Sequence, residues 1–179
     1  MADNTPYIVG IAGAAGSGKD TVADYLALMG YIKVSFALPL KKALTAMFCV
    51  DFVNMPRDQK EKPLDGLSVT PRRLMQTLGT EWGRNLIDPD LWVHALDVHL
   101  RQQPPWQSFV VADVRFPNEV AWIKENDGFL IYLERADLPP VEDHASEQGV
   151  FPSDAHVVLW NDGTIAQIQE EALQAIAGR

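Results

Sequence analysis

Short apolar runs alternate along the chain with stretches in which apolar residues recur every three or four positions, the periods of strands and of one-faced helices. Tyr7–Ala12 reads as a first strand; the helix after it carries Val22, Ala23, Leu26 and Ala27 on one face and stops at Gly30. Ile32–Phe36 is a short second strand, and Leu38–Phe48 a helix with Leu40, Leu44, Met47 and Phe48 inward and Lys41 and Lys42 outward. Thr70-Pro71 starts a helix, the Thr capping and the Pro in the first turn; it runs to about Leu78, where Gly79-Thr80 breaks or kinks it. Asp88-Pro89-Asp90 starts another, carrying Leu91, Trp92, Ala95, Leu96 and Val98. Ser108–Val114 is an apolar strand of the kind buried on both faces, with Asp113 near its end. A helix from about Pro117 to Asn126-Asp127-Gly128 separates it from the strand Phe129–Leu133. His156–Trp160 is the last strand; Thr164 and Gln167 form a capping box for a final helix striped by Ile165, Ile168, Ala172 and Ile176.

Strands alternating with helices imply an α/β fold with a parallel sheet. Two stretches interrupt the alternation, 51–70 and 136–153, both polar and Pro-containing, and both long enough to close over a ligand. Nothing between them reads as a linker, so a single domain is expected. The 179 residues, 47% hydrophobic and 22% charged, suffice for one full core. A net charge of -9 argues against non-specific wrapping of a nucleic acid polymer, which needs a basic face. Cys49 is the one cysteine, which excludes an internal disulfide. With neither a signal pattern nor a membrane-length apolar run, the expected location is the cytoplasm.

The chemistry starts at residues 13–21, Gly-Ala-Ala-Gly-Ser-Gly-Lys-Asp-Thr, between the first strand and the first helix. Gly13, Gly16 and Gly18 let the backbone of this loop, with Ala14 and Ser17, turn its N–H groups inward around an anion. The following helix adds its positive end, and Lys19 a mobile charge for the β- and γ-phosphates of a nucleoside triphosphate. Asp20 stands where a magnesium-binding hydroxyl residue is common. It is either a magnesium ligand, the favoured reading, or a helix N-terminal charge turned away from the phosphates.

Ligands of such sheets bind at the carboxyl ends of the strands, a rule that selects Asp113, Arg115 and Arg135 beside Lys19. Asp113 is placed to hold Mg²⁺ through water or to orient an acceptor, and is otherwise an N-cap. Arg115 grips a phosphate or pairs with Glu119; Arg135 stabilises a transferring phosphoryl group or is a surface residue. Arg72 and Gln76 share a helix face that leads into Gly79-Thr80, a set suited to an anionic acceptor with a polar ring. Trp92 stacks on a base or, the default for a tryptophan, belongs to the core. His94 and His99 are five apart, off the spacing of a helical metal pair, and no cluster suggests zinc. Asn161-Asp162-Gly163 reads only as a turn from strand to helix. Trp106 and Trp160 have no role, and one of them is a candidate for a subunit contact in a homodimer.

Four blocks together, Gly13–Thr21, Arg72-Arg73-Leu74-Met75-Gln76-x-x-Gly79-Thr80-Glu81, Asp113-Val114-Arg115-Phe116-Pro117-Asn118-Glu119 and His144-Ala145-Ser146-Glu147, resemble the deoxynucleoside monophosphate kinases of tailed bacteriophages and related prophages. The resemblance implies a three-layer P-loop kinase fold with a five-stranded parallel sheet, an acceptor-binding helical segment over 51–90 and a lid-like loop over 136–153. It implies transfer of the γ-phosphoryl group of ATP, with Mg²⁺, to a deoxynucleoside 5′-monophosphate. Carried onto this chain, Arg72, Arg73, Gln76, Gly79, Thr80 and Trp92 hold the monophosphate and its base. Asp20 and Asp113 arrange magnesium and acceptor, Arg115 and Arg135 neutralise phosphates, and Thr21 reaches the α-phosphate. Base preference does not carry over. Rival readings are a P-loop kinase of another phosphorylated acceptor, of the phosphomevalonate or dephospho-coenzyme A type, and a non-catalytic nucleotide-binding module.

Overall fold

The computed structural model describes residues 8–138 and 149–179. Tyr7, most of the 136–153 loop and the His144-Ala145-Ser146-Glu147 block lie outside them. The chain divides into two units, one built from the residues up to Ser35 together with Gln103–Arg179, the other from Phe36–Gln102.

The first unit holds β1 (Ile8–Gly13), α1 (Lys19–Leu28), β2 (Ile32–Val34), β3 (Phe109–Val111), α5 (Pro117–Glu125), β4 (Phe129–Glu134), β5 (Val157–Trp160) and α6 (Ile165–Ala177). The strands form one sheet in the order β2-β3-β1-β4-β5, and every pairing is parallel, as the alternation of elements implies. β1 is central because both its faces are apolar: Ile8, Val9, Ile11 and Ala12 are at most 1% exposed. Val9 and Ile11 pack with Val22, Ala23 and Leu26 of α1 and with Ile168, Ala172 and Ile176 of α6. Burying each of these branched side chains is worth roughly 1.5–3 kcal/mol. On the other face, Gly10 lets α5 approach closely, since a Cβ there would lie 2.4 Å from Ile123 Cδ1. Helices therefore cover both faces, which gives this unit its three layers. The buried strand Ser108–Val114 is shorter than expected: pairing ends at Val111, and one long bond, Val114 N to Ile11 O at 3.4 Å, keeps the following chain beside β1.

The second unit holds α2 (Leu38–Phe48), a short 3₁₀ turn at Gln59–Glu61, α3 (Pro71–Gln76), a π-helix over Thr77–Ile87 and α4 (Leu91–Arg101). Its core is Leu40, Leu44, Phe52, Met55 and Trp92, with Leu74, Met75 and Leu78 packed against it. Gly79-Thr80 does not break the helix here. α3 widens into the π-helix, closed by a five-residue bond from Asp88 N to Gly83 O of 2.9 Å. The cause is Trp92. Its indole N–H donates to the Gly79 carbonyl at 2.8 Å, and its ring lies where a Cβ on Gly83 would be, 2.7 Å away. Met47, Val98 and Ile165 were expected to face inward but are 67%, 57% and 63% exposed, because each stripe is narrower than the sequence suggests. Trp106 and Trp160 are exposed as well. Among the described residues no helix is long and apolar enough to cross a membrane.

The contacts of His156 predict a pH dependence for the first unit. His156 donates its backbone N–H to Leu130 O and accepts from Leu130 N on Nδ1, both at 2.9 Å, while its ring stacks on Phe129. Nδ1 accepts only when the ring is neutral. Burial, helped by the positive charges of Arg179 and Lys124, holds its pKa below the ordinary 6.5. A base whose folded pKa is depressed contributes stability that is complete above its unfolded pKa and is lost as pH falls toward the folded one. The melting temperature is expected to fall between about pH 7 and pH 5, and His156→Leu to flatten that slope while lowering stability at neutral pH. An equal slope in both proteins, measured by thermal melts across pH, would remove His156 from the effect.

Candidate active site

β1 ends at Gly13, and the next five residues turn back into α1. Gly13, Gly16 and Gly18 take φ of 133°, 86° and 100°, values that side-chain-bearing residues rarely adopt. Space reinforces the choice, since a Cβ on Gly13 would lie 2.3 Å from the Leu133 carbonyl. Ser17 N donates to Ala14 O at 3.1 Å, tightening the loop, and Gly18 is the left-handed residue before α1. Lys19 folds back over the loop and donates from Nζ to the carbonyls of Gly13 and Ala14, each at 2.7 Å. An ammonium held by two neutral carbonyls can exchange them for phosphate oxygens, which bind it more strongly. Thr21 sits half-buried on the first turn of α1.

β3 and β4 flank β1, so their carboxyl ends open beside this loop. Asp113 follows β3 and is half-buried; Arg115 two residues on, and Arg135 just past β4, are exposed. Glu119 explains the backbone between them. Its carboxylate, 1% exposed, accepts from the amides of Arg115 and Phe116 at 2.7 and 3.1 Å. The positive end of α5 stabilises that buried charge. Glu119 therefore caps α5 through backbone amides, including that of Arg115, and the N-cap position itself is Phe116.

From the first turn of α1, Asp20 pairs with Lys33. Its carboxylate is 85% exposed and accepts from Lys33 Nζ at 2.7 Å; Asp24, one turn on, accepts from the same ammonium at 2.8 Å. Burial works to lower the Lys33 pKa, but the hydrogen bonds to Asp20 and Asp24 outweigh it, and the pKa is raised. Among the described residues no group of three His, Cys, Asp or Glu side chains could hold a metal ion. Mg²⁺ commonly takes only one or two carboxylates and fills the rest of its shell with water and substrate phosphates, so a single strand-end carboxylate such as Asp113 is chemically compatible with it. Asp20→Asn is expected to leave the magnesium dependence of turnover unchanged; a shifted Mg²⁺ titration would return Asp20 to the metal.

In the second unit, α3 and the π-helix carry the remaining candidates. Arg72 pairs through Nε with the Glu61 carboxylate, and Arg73 lies 3.4 Å from Glu81. Gln76 and Thr80 are exposed, and Gly79 gives its carbonyl to Trp92. Trp92 is 8% exposed, so it shapes the π-helix from below. The exposed aromatic is Trp82, 44% accessible with its ring 6.5 Å from that of Trp92. Sequence reasoning missed Trp82, although it stands within the Gly-Thr-Glu-Trp-Gly run. It also missed Asn161, whose side chain reaches the phosphate loop.

A family model described as deoxynucleotide monophosphate kinase matches residues 60–172. That stretch begins after the phosphate loop, so loop and match are independent observations. A protein of Acanthamoeba polyphaga mimivirus, provisionally described as a deoxynucleotide monophosphate kinase, is 33% identical over 94% of this chain and 95% of its own length. The deoxynucleoside-5′-monophosphate kinase of Escherichia phage T5 is 32% identical over 52% of this chain, a match that spans 40% of the phage protein. Among solved structures, TT1252 from Thermus thermophilus has a TM-score of 0.56 at 20% identity, covering 97% of each chain. Shikimate kinase from Aquifex aeolicus has a TM-score of 0.51 at 11% identity, covering 96% of each. Identities this low speak to the fold, which is that of P-loop kinases. The parallel sheet, the phosphate loop and the long match to a full-length relative together place this chain in the deoxynucleotide monophosphate kinase family.

Proposed function

We propose that this protein transfers the γ-phosphoryl group of ATP to the 5′-phosphate of a deoxynucleoside monophosphate, releasing ADP and the deoxynucleoside diphosphate. The observation that carries the reading is the loop at Gly13–Thr21, with its glycines at positive φ and Lys19 poised over it, in a member of this family. The loop amides and Lys19 hold the β- and γ-phosphates so that the phosphorus faces the incoming oxygen. Arg115 and Arg135, past the ends of the flanking strands, spread the charge that develops on the transferring group. Asp113 would hold Mg²⁺ through water, and the ion when bound adds charge neutralisation at the β- and γ-oxygens. The acceptor phosphate is already ionised at neutral pH, so no side chain has to remove a proton from it. The P–O bond to ADP breaks as the bond to the acceptor oxygen forms, and ADP leaves as an anion.

On the acceptor side, Arg72 and Arg73 supply charge for the monophosphate, and Gln76 and Thr80 supply polar contacts to its ring. Trp82 offers an exposed face on which a base can stack, whereas Trp92 supports the turn that presents Gly79 and Thr80. The partners are then ATP and a dNMP, the site of action is the cytoplasm where both are found, and no nucleic acid polymer takes part. The test is ADP release with MgATP and dAMP, dCMP, dGMP or dTMP in turn. At least one should raise turnover well above the ATP-only rate. Stimulation by none of them would overturn the reading; stimulation by a different phosphorylated acceptor would identify the rival kinase.

A further inference from the structure

The turn after β5 touches the phosphate loop. Asn161 donates from Nδ2 to the Ser17 carbonyl at 2.9 Å, across 144 positions of sequence. Its own backbone N–H donates to Glu134 O at 2.7 Å, which fixes Asn161 to the end of β4. The next residue, Asp162, accepts from Ala136 N at 2.9 Å, one position beyond Arg135. Behind both, the capping box of α6 anchors the turn, with Gln167 Oε1 accepting from Thr164 N at 2.7 Å.

A loop that turns its amides toward an anion must turn the matching carbonyls away, and each of those needs a donor. The peptide between Ser17 and Gly18 is planar and trans, so its C=O and its N–H point in opposite directions. Holding the Ser17 oxygen on the Asn161 side therefore aims the Gly18 amide at the anion side. The same side chain accounts for Gly18, where a Cβ would lie 2.3 Å from Asn161 Nδ2. From these contacts we infer that Asn161 is a positioning residue: it fixes the orientation of a phosphate-binding amide and ties the loop to the chain that carries Arg135. It touches neither substrate nor reacting atom, and the inference rests on the donor half of the proposed function.

The test compares wild type, Asn161→Ala and Asn161→Asp. The aspartate has the same shape, but it sets a carboxylate against the Ser17 carbonyl in place of an N–H donor. MgATP affinity, by titration calorimetry, and KM for ATP are expected to weaken by about five- to thirty-fold in both variants, the worth of one partly buried hydrogen bond together with the misaligned amide. KM for the dNMP stays at the wild-type value. A purely structural role predicts something else: a lower melting temperature with unchanged ATP affinity, or equal losses for ATP and dNMP, and either overturns the inference. Wild-type ATP affinity in Asn161→Asp also overturns it. The two readings fail separately. If no dNMP stimulates the wild type yet Asn161→Asp still loses MgATP affinity, the acceptor is wrong and the positioning role stands. If dNMPs are phosphorylated and Asn161→Asp keeps its ATP affinity, the reverse holds.

Discussion

Lys19→Ala is expected to reduce dNMP-dependent turnover by at least about 10²–10³-fold, the loss seen when one preorganised donor to developing charge is removed. The side chain donates to two loop carbonyls at 2.7 Å, so it is held over the loop before any phosphate arrives. Its substitution removes a full charge where the β- and γ-oxygens are to sit, and water cannot replace that charge in the same geometry. Lys19→Arg should be little better. A planar guanidinium does not fit between two carbonyls of a tight turn as a compact ammonium does. Fold and stability should change little in either variant, because Lys19 is partly solvated and the loop carbonyls it bonds, those of Gly13 and Ala14, are oxygens that water can serve. Measuring kcat, MgATP affinity and melting temperature together decides the matter; a wild-type kcat in Lys19→Ala would take the loop out of the reaction.

How much of this was legible in the residues depended on sequence distance. The loop was, because strand, glycines, lysine and helix follow one another within fourteen positions, Ile8–Thr21, and each has a local reason to be there. The parallel sheet followed from the alternation of strands and helices, whereas the central place of β1 is seen only in the pairings, with β3 on one side and β4 on the other. Glu119 is an intermediate case: a glutamate in the first turn after Phe116-Pro117 is a local capping signal, and reading it as a surface partner of Arg115 overlooked how readily that position folds back. The pairing of Asp20 with Lys33, thirteen residues away, has no sign in the local sequence. The π-helix was opaque for a related reason. Gly79-Thr80 reads as a break or kink by propensity, and nothing nearby in sequence announces that the indole N–H of Trp92, thirteen positions on, takes the Gly79 carbonyl in a helix that continues. Asn161 lay furthest out of reach. Its turn signal was correct, but its partner is 144 positions earlier, and nothing in an Asn-Asp-Gly run tells a solvated turn from one that steadies a phosphate loop.

Arg72→Ala is the second large effect, and it should separate the two substrates. Arg72 stands on the first turn of α3, where Thr70 caps the helix by accepting from Arg73 N. The guanidinium is pre-aligned by its pair with Glu61, both side chains being about half exposed (42% and 53%). An exposed pair of this kind contributes about 0–1 kcal/mol to stability, so the melting temperature should hardly move. Binding of a phosphate dianion is a different matter, because charge-assisted hydrogen bonds are worth about 1.5–3 kcal/mol. KM for the dNMP should therefore rise by roughly ten- to a hundred-fold while KM for ATP stays constant. Arg72→Lys should recover part of the loss, since it restores charge but not the two-pronged contact. Glu61→Gln should move KM the other way by a few-fold at most, because the acceptor phosphate no longer competes with a carboxylate for the same guanidinium. Kinetics in both substrates, with Arg72→Ala, Arg72→Lys and Glu61→Gln side by side, makes the ordering testable. If Arg72→Ala raises KM for ATP instead, the arginine serves the donor, and the acceptor must be held by Arg73 and the π-helix without it.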